Sequence, residues 1–230
     1  MLKITVDDAG HPSFPGVSHY DICSSQSMGE PMTIQGQKGL RVIILHGAHG
    51  GPDTNWFPWL HDELEHAGIE VVRPRFPTPQ GQSLEAWLDA YDHEVALLAS
   101  APTILIGHSL GATMALRLVE RTAEPFSGMF LAAGFIGALG LPDYDDINAS
   151  FFAKPFDWKG IGDRKGSVCC CWAGADDPYV PLLRSQELAD YLGAPLEVVP
   201  DGGHLNGETG FTTFPQMRDA ILAARANVVG

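Results

Sequence analysis

Ser109 stands in the pentapeptide Gly107-His108-Ser109-Leu110-Gly111. Before it runs an apolar stretch, Ile104-Leu105-Ile106, of the kind that forms a buried strand. After it, Leu110, Met114, Ala115, Leu118 and Val119 recur at helical spacing. A strand that turns directly into a helix through G-x-S-x-G is a nucleophile elbow. The turn is tight enough to strain the serine backbone, and glycine at the flanking positions avoids collision with the neighbouring strand and helix. The hydroxyl is thereby lifted clear of the sheet, at the positive end of a helix.

A serine hydroxyl is a weak nucleophile at neutral pH and needs a base within hydrogen-bond reach. Downstream, two apolar runs end in candidate partners. Val168 to Ala173 leads into Gly174-Ala175-Asp176-Asp177-Pro178-Tyr179-Val180, and Leu196 to Val199 leads into Pro200-Asp201-Gly202-Gly203-His204. A histidine can take the serine proton and return it to a leaving group. A buried carboxylate can fix the imidazole tautomer. Of the nine histidines, His204 is favoured as base because it follows a terminal strand behind Gly-Gly, downstream of the acid. Asp177 is preferred to Asp176 because the G-x-x-D-x-x-V frame from Gly174 to Val180 lands on it. The oxyanion of such a reaction needs two donors: the backbone N–H of Leu110, next after the serine, and that of Ala48, in the glycine-rich loop His46 to Gly51. His46, His49 and His108 are read as packing residues, with a place lining the site as the alternative for His46 and His49.

The surrounding elements must hold these groups on one rim. Leu40 to Leu45, Ile69 to Arg73, Ile104 to Ile106, Ser127 to Ala133, Val168 to Ala173 and Leu196 to Val199 read as strands. Helices are expected over Asn55 to Ala67, Ser83 to Leu98, the segment after Ser109, Pro181 to Leu192 and Pro215 to Ala224. Strands alternating with helices imply a parallel sheet covered on both faces, with ligands at the carboxyl ends of the strands. Gly134 to Gly166 breaks the rhythm. It reads as a short cap-like insertion after the fourth strand, with an acidic run (Asp143, Asp145, Asp146) facing water and aromatics at Phe151, Phe152, Phe156 and Trp158 turned to an apolar site. Trp56, Phe151 and Trp158 are the expected substrate-binding residues.

With 230 residues the chain suits one domain, residues 39–230, preceded by a Gly-, Pro- and Ser-rich peripheral arm over 1–38 with one short strand at Lys3 to Val6. A net charge of −14 argues against nucleic acid and anionic membranes as partners. The N-terminal residues show no apolar signal region, and no apolar run is long enough to span a bilayer. Cys169, Cys170 and Cys171 are consecutive and so point alternately, unlike a disulfide framework or a zinc site. They suggest a reducing, cytoplasmic setting. No cofactor or metal is expected, and the partner is a small-molecule substrate of a monomer or weak homodimer.

Together these motifs resemble the α/β-hydrolase superfamily, and within it the small serine hydrolases of the retinoblastoma-binding-protein-nine type. The resemblance rests on the His46-Gly47 loop leading to Trp56 and Trp59, GHSLG at 107–111, KPFDW at 154–158, DDPYVP at 176–181 and GGH at 202–204. It covers residues 40 to 227. It implies a three-layer α/β-hydrolase fold with about six mostly parallel strands, helices on both faces and a minimal lid. It also implies a carboxylesterase-like serine hydrolase for small esters, thioesters or amides, with Ser109 as nucleophile, Asp177 as acid and His204 as base. An aminopeptidase, an acyltransferase, or a non-catalytic interaction protein on the same fold remain alternatives.

Overall fold

The computed structural model describes residues 39–228. The arm, with its expected strand at Lys3 to Val6, lies outside the described residues. Six strands form one sheet: β1 (Arg41–Leu45), β2 (Glu70–Val72), β3 (Thr103–His108), β4 (Gly128–Ala132), β5 (Val168–Gly174) and β6 (Leu196–Val199). Their order is β2-β1-β3-β4-β5-β6, and every neighbouring pair is parallel. The helices are α1 (Phe57–His66), α2 (Leu84–Val95), α3 (Leu110–Arg121), α4 (Pro142–Phe152), α5 (Trp158–Arg164), α6 (Leu182–Leu192) and α7 (Pro215–Val228).

The two-residue period of the strands divides the core. Val42, Ile44, Ile104, Ile106, Phe130, Ala132 and Trp172 pack beneath α1 and α7, against Phe57, Leu60, Leu64, Met217 and Ile221. The intervening residues Ile43, Leu45, Leu105, Met129, Leu131 and Cys171 face α2, α3 and α6. Both faces are therefore dry, which is why the central strands read as unbroken apolar runs. The chain winds outward from β1 to β2, then crosses back to β3 and winds the other way. The reversal leaves a crevice between the carboxyl ends of β1 and β3.

Element boundaries differ from the sequence expectation chiefly at ends. α1 starts two residues later than Asn55, because Asn55 adopts φ 56° and leaves the helical path. Ser83 caps α2, its Oγ accepting from the Ala86 N–H at 3.1 Å. The insertion is the larger difference: it contains α4 and α5. Pro142 stands in the first turn of α4. Asp143 and Asp146 are exposed, but Asp145 is half-buried, its carboxylate accepting from the N–H groups of Leu139, Gly140 and Leu141 at 2.7, 2.8 and 3.1 Å. Asp157 caps α5, accepting from the Gly160 N–H at 2.9 Å.

These two helices lie on the outer side of α3, so α3 is buried from Leu110 to Val119 with no solvent face over that length. Arg117 makes the junction. Its guanidinium donates to Phe151 O from Nε and Nη2 at 3.0 and 2.8 Å, and to Lys154 O at 2.5 Å. It pairs with Glu120 at 2.7 Å and lies 3.8 Å above the Phe156 ring. No helix among the described residues is long and apolar enough to cross a membrane.

Candidate active site

β3 ends at His108, and Ser109 turns the chain into α3 at φ 55°, ψ −125°. A non-glycine residue rarely holds positive φ, so the surrounding contacts must enforce it. A Cβ on Gly107 would sit 2.5 Å from Ala112 Cα, and one on Gly111 would sit 2.1 Å from Leu45 O. The elbow is thus wedged between α3 and the end of β1. The Ser109 N–H is tied to Ala132 O at 2.9 Å.

The loop after β1 closes against the serine from the other side, a Cβ on Gly47 falling 2.8 Å from Ser109 Cβ. His46 fixes this loop. Its Nδ1–H donates to Gly47 O at 2.8 Å, and its Nε2 accepts the Phe76 N–H at 3.0 Å. That pair of partners requires the neutral ring, and burial pulls the His46 pKa down to about 4. Ala48 follows on the cavity wall. Leu110 opens α3, where the first N–H groups of a helix have no partner within it. The expected donors therefore flank Ser109, one on each side.

Backbone contact also brings the ends of β5 and β6 together. A Cβ on Gly174 would overlap Gly203 O at 1.9 Å, and Gly203 itself adopts φ 50° beneath Thr209. Asp176 Oδ1 accepts the Gly203 N–H at 2.8 Å, so it holds the loop that carries His204. Asp177 Oδ2 accepts from His204 Nδ1 at 2.8 Å, and its Oδ1 accepts from the N–H groups of Tyr179 and Val180 at 2.9 and 3.0 Å. The Asp177 side chain is only 1% exposed and that of His204 10%. His108, inside the elbow, donates from Nε2 to His204 O at 2.9 Å. Burial, with the neighbouring His204 as a second cause, holds its pKa down to about 3, so this ring stays a neutral donor.

With its Nδ1–H committed to Asp177, His204 presents the Nε2 lone pair. Ser109 and His204 line one cavity of about 370 Å³. Among the described residues no hydrogen bond joins the Ser109 hydroxyl to His204. Such contacts commonly tighten only when substrate is bound.

The expected substrate-binding residues lie elsewhere. Trp56 is fully buried under the sheet, its Nε1–H donating to Leu205 O at 2.9 Å. Phe151 is fully buried with its ring 4.9 Å from that of Trp87. Trp158 stacks on Tyr191 of α6 at 4.4 Å. None of the three lines the cavity. Phe151 and Trp158 occupy the faces of α4 and α5 that seal the insertion onto the domain. The cavity instead takes Phe135, Leu139, Tyr144 and Asn148 from the insertion, Tyr179 and Val180 after β5, and Asn206 and Glu208 after His204. His49, read as a packing residue, is exposed and also lines it. Phe135 could have been found from position, since it follows β4 directly, ahead of the helices that pack on α3, whereas Tyr144 lies within α4 and carried no such signal.

An all-parallel sheet in this order, with a serine elbow at its reversal point, defines an α/β-hydrolase. More narrowly, the chain belongs to the serine hydrolase family, which it matches over residues 42–223, and it is a hydrolase of that family. It is 32% identical to YdeN of Bacillus subtilis over 188 residues, covering 80% of this chain and 95% of YdeN. It is 29% identical to the serine hydrolase RBBP9 of Rattus norvegicus over 167 residues, covering 71% of this chain and 86% of the relative. The crystal structure of the B. subtilis ydeN gene product superposes with a TM-score of 0.72 and 30% identity, covering 82% of this chain and 99% of that one.

Proposed function

We propose that the chain hydrolyses small esters, thioesters or amides through an acyl-enzyme on Ser109. The observation that carries this reading is the joint placement of two features in one cavity. These are the strained Ser109 and the His204 imidazole, oriented by a buried carboxylate. His204 Nε2 removes the Ser109 proton as Oγ adds to the substrate carbonyl. The N–H groups of Ala48 and Leu110 receive the oxyanion. The same imidazole protonates the leaving group as the carbon–heteroatom bond breaks. Water, deprotonated by His204, then cleaves the acyl–serine bond and restores the enzyme. Asp177 steadies the imidazolium in both steps.

The insertion limits substrate size. Phe135, Leu139 and Tyr144 shade the serine without enclosing a tunnel, and a cavity of about 370 Å³ suits a short acyl chain. The three cysteines of β5 are free, and burial pushes each thiol up, which makes them unreactive packing groups.

The experiment is fluorophosphonate labelling with peptide mapping, followed by hydrolysis of p-nitrophenyl acetate through octanoate. Labelling is expected at Ser109 alone, and Ser109→Ala should lose at least ~10⁴ of kcat while keeping the fold. A folded native chain that neither labels nor cleaves any ester would overturn the reading.

A further inference from the structure

One wall of the cavity is an unbroken arc of rings. His49 lies 5.2 Å from Tyr144, Tyr144 lies 5.7 Å from Tyr179, and Tyr179 lies 5.1 Å from His204, centroid to centroid. The arc runs from the loop after β1 to the imidazole that orients on Asp177. At its far side the Tyr179 hydroxyl donates to Glu208 Oε2 at 3.3 Å. Histidines aside, Glu208 is the charged side chain of this cavity, and among the described residues no lysine or arginine lines it. The nearness of that carboxylate is the main reason the Tyr179 phenol is raised above its ordinary range.

A carboxylate hydrogen-bonded to one tyrosine hydroxyl of a ring-lined wall is a recognition surface for an organic cation. The ring faces attract positive charge through their quadrupoles, and the carboxylate supplies the countercharge. Sidedness follows from the acid–base chemistry. His204 gives its proton to the leaving group, so the leaving group must lie against this imidazole. Tyr179 packs edge-on to the same ring, with Glu208 beyond it.

We infer that Glu208, with Tyr144 and Tyr179, forms a cation subsite that selects esters or amides whose leaving group carries a positive charge a few bonds from the scissile carbonyl. The inference rests on the acyl-enzyme reading above, because it takes the side of the site from the direction of proton transfer. It also gives the acidic exposed turn at Gly207–Thr209 a part in substrate choice.

The test compares butyrylcholine with 3,3-dimethylbutyl butyrate, which share a shape and differ in charge. A quaternary ammonium also activates the ester itself, so the readout is the ratio of the two kcat/KM values in native enzyme divided by that in Glu208→Gln. That quotient is expected to be about fivefold, the upper end for an exposed cation contact. It should shrink as salt is raised. Glu208→Lys should push the ratio further toward the neutral ester. Tyr179→Phe keeps the ring and the main-chain N–H and should give an intermediate ratio. A ratio unchanged within about twofold in both Glu208 variants, with the neutral ester still cleaved, would overturn the subsite and leave the hydrolase reading standing. A native enzyme that labels at Ser109 and cleaves p-nitrophenyl esters but neither of these two would overturn the subsite alone; one that neither labels nor cleaves any ester would remove the hydrolase reading, and the subsite with it.

Discussion

Replacing Arg117 by leucine tests how the insertion is held over the site. The guanidinium is 7% exposed and sits between α3 and the insertion. Leucine would strip Phe151 O of both its Arg117 donors and Lys154 O of its own. Glu120 would keep the Asp157 N–H, 2.6 Å away, but lose its cation while only 17% exposed. Removing one partner of such a buried pair costs about 3–5 kcal/mol, against at most about 1 kcal/mol for an exposed pair. A domain of this size loses roughly 2–4 °C of Tm per kcal/mol, so thermal unfolding followed by circular dichroism should show a drop on the order of 10 °C. Arg117→Lys keeps a charge without the planar fork and should recover less than half of it. Because α4 carries Tyr144 and Asn148 on the cavity wall, KM for short esters should rise more than kcat falls. A Tm within about 2 °C of native would refute the clamp and return Arg117 to the class of surface ion pairs.

Two further outcomes follow from the geometry. His46 and His108 are held neutral, at about 4 and about 3, whereas an unfolded histidine titrates near 6.5. Each contribution to stability is therefore complete above about pH 6.5 and is lost as pH falls toward the folded values, at up to about 1.4 kcal/mol per pH unit. Urea unfolding between pH 7.5 and 4.5 should show that slope, and His46→Gln should flatten it by one proton; an unaltered slope would disprove the buried-neutral assignment. Asp176→Asn should cost little activity, since an amide oxygen can still accept the Gly203 N–H, whereas Asp176→Ala should lower kcat by about tenfold as the His204 loop loosens; equal rates for the two variants would show that this bond is not positioning His204.

The reach of the sequence differs from one part of the site to another, for physical reasons. Ser109, Asp177 and His204 were legible because each follows an apolar run that must be a strand, and parallel strands deliver their carboxyl ends to one rim. The Gly-Gly before His204 has its own cause, the positive φ of Gly203 beneath Thr209 and the Leu205 and Val199 side chains around Gly202. The insertion was opaque. Pro142 and Asp157 look like loop residues, yet one starts and the other caps a helix, and Asp145 and Gly160 lie inside helices. Aromatic composition could not say which rings face substrate, because that depends on which side of α4 and α5 meets the domain. Arg117 carried no signal either, since its neighbours in space are carbonyls contributed from 34 and 37 residues away.

The turn after β5 separates two kinds of constraint within five residues. Asp177 is gripped by the main-chain N–H groups of residues 179 and 180, while the side chains of those same residues form part of the wall that meets substrate. The acid is therefore indifferent to which side chain stands at 179, provided it is not proline, whereas Val180 is also anchored in the core. Substrate range can drift at position 179, in nature or in directed evolution, without disturbing the acid that steadies the base. The neighbouring Gly174–Gly203 contact has no such tolerance, because there the backbone itself occupies the space a side chain would need.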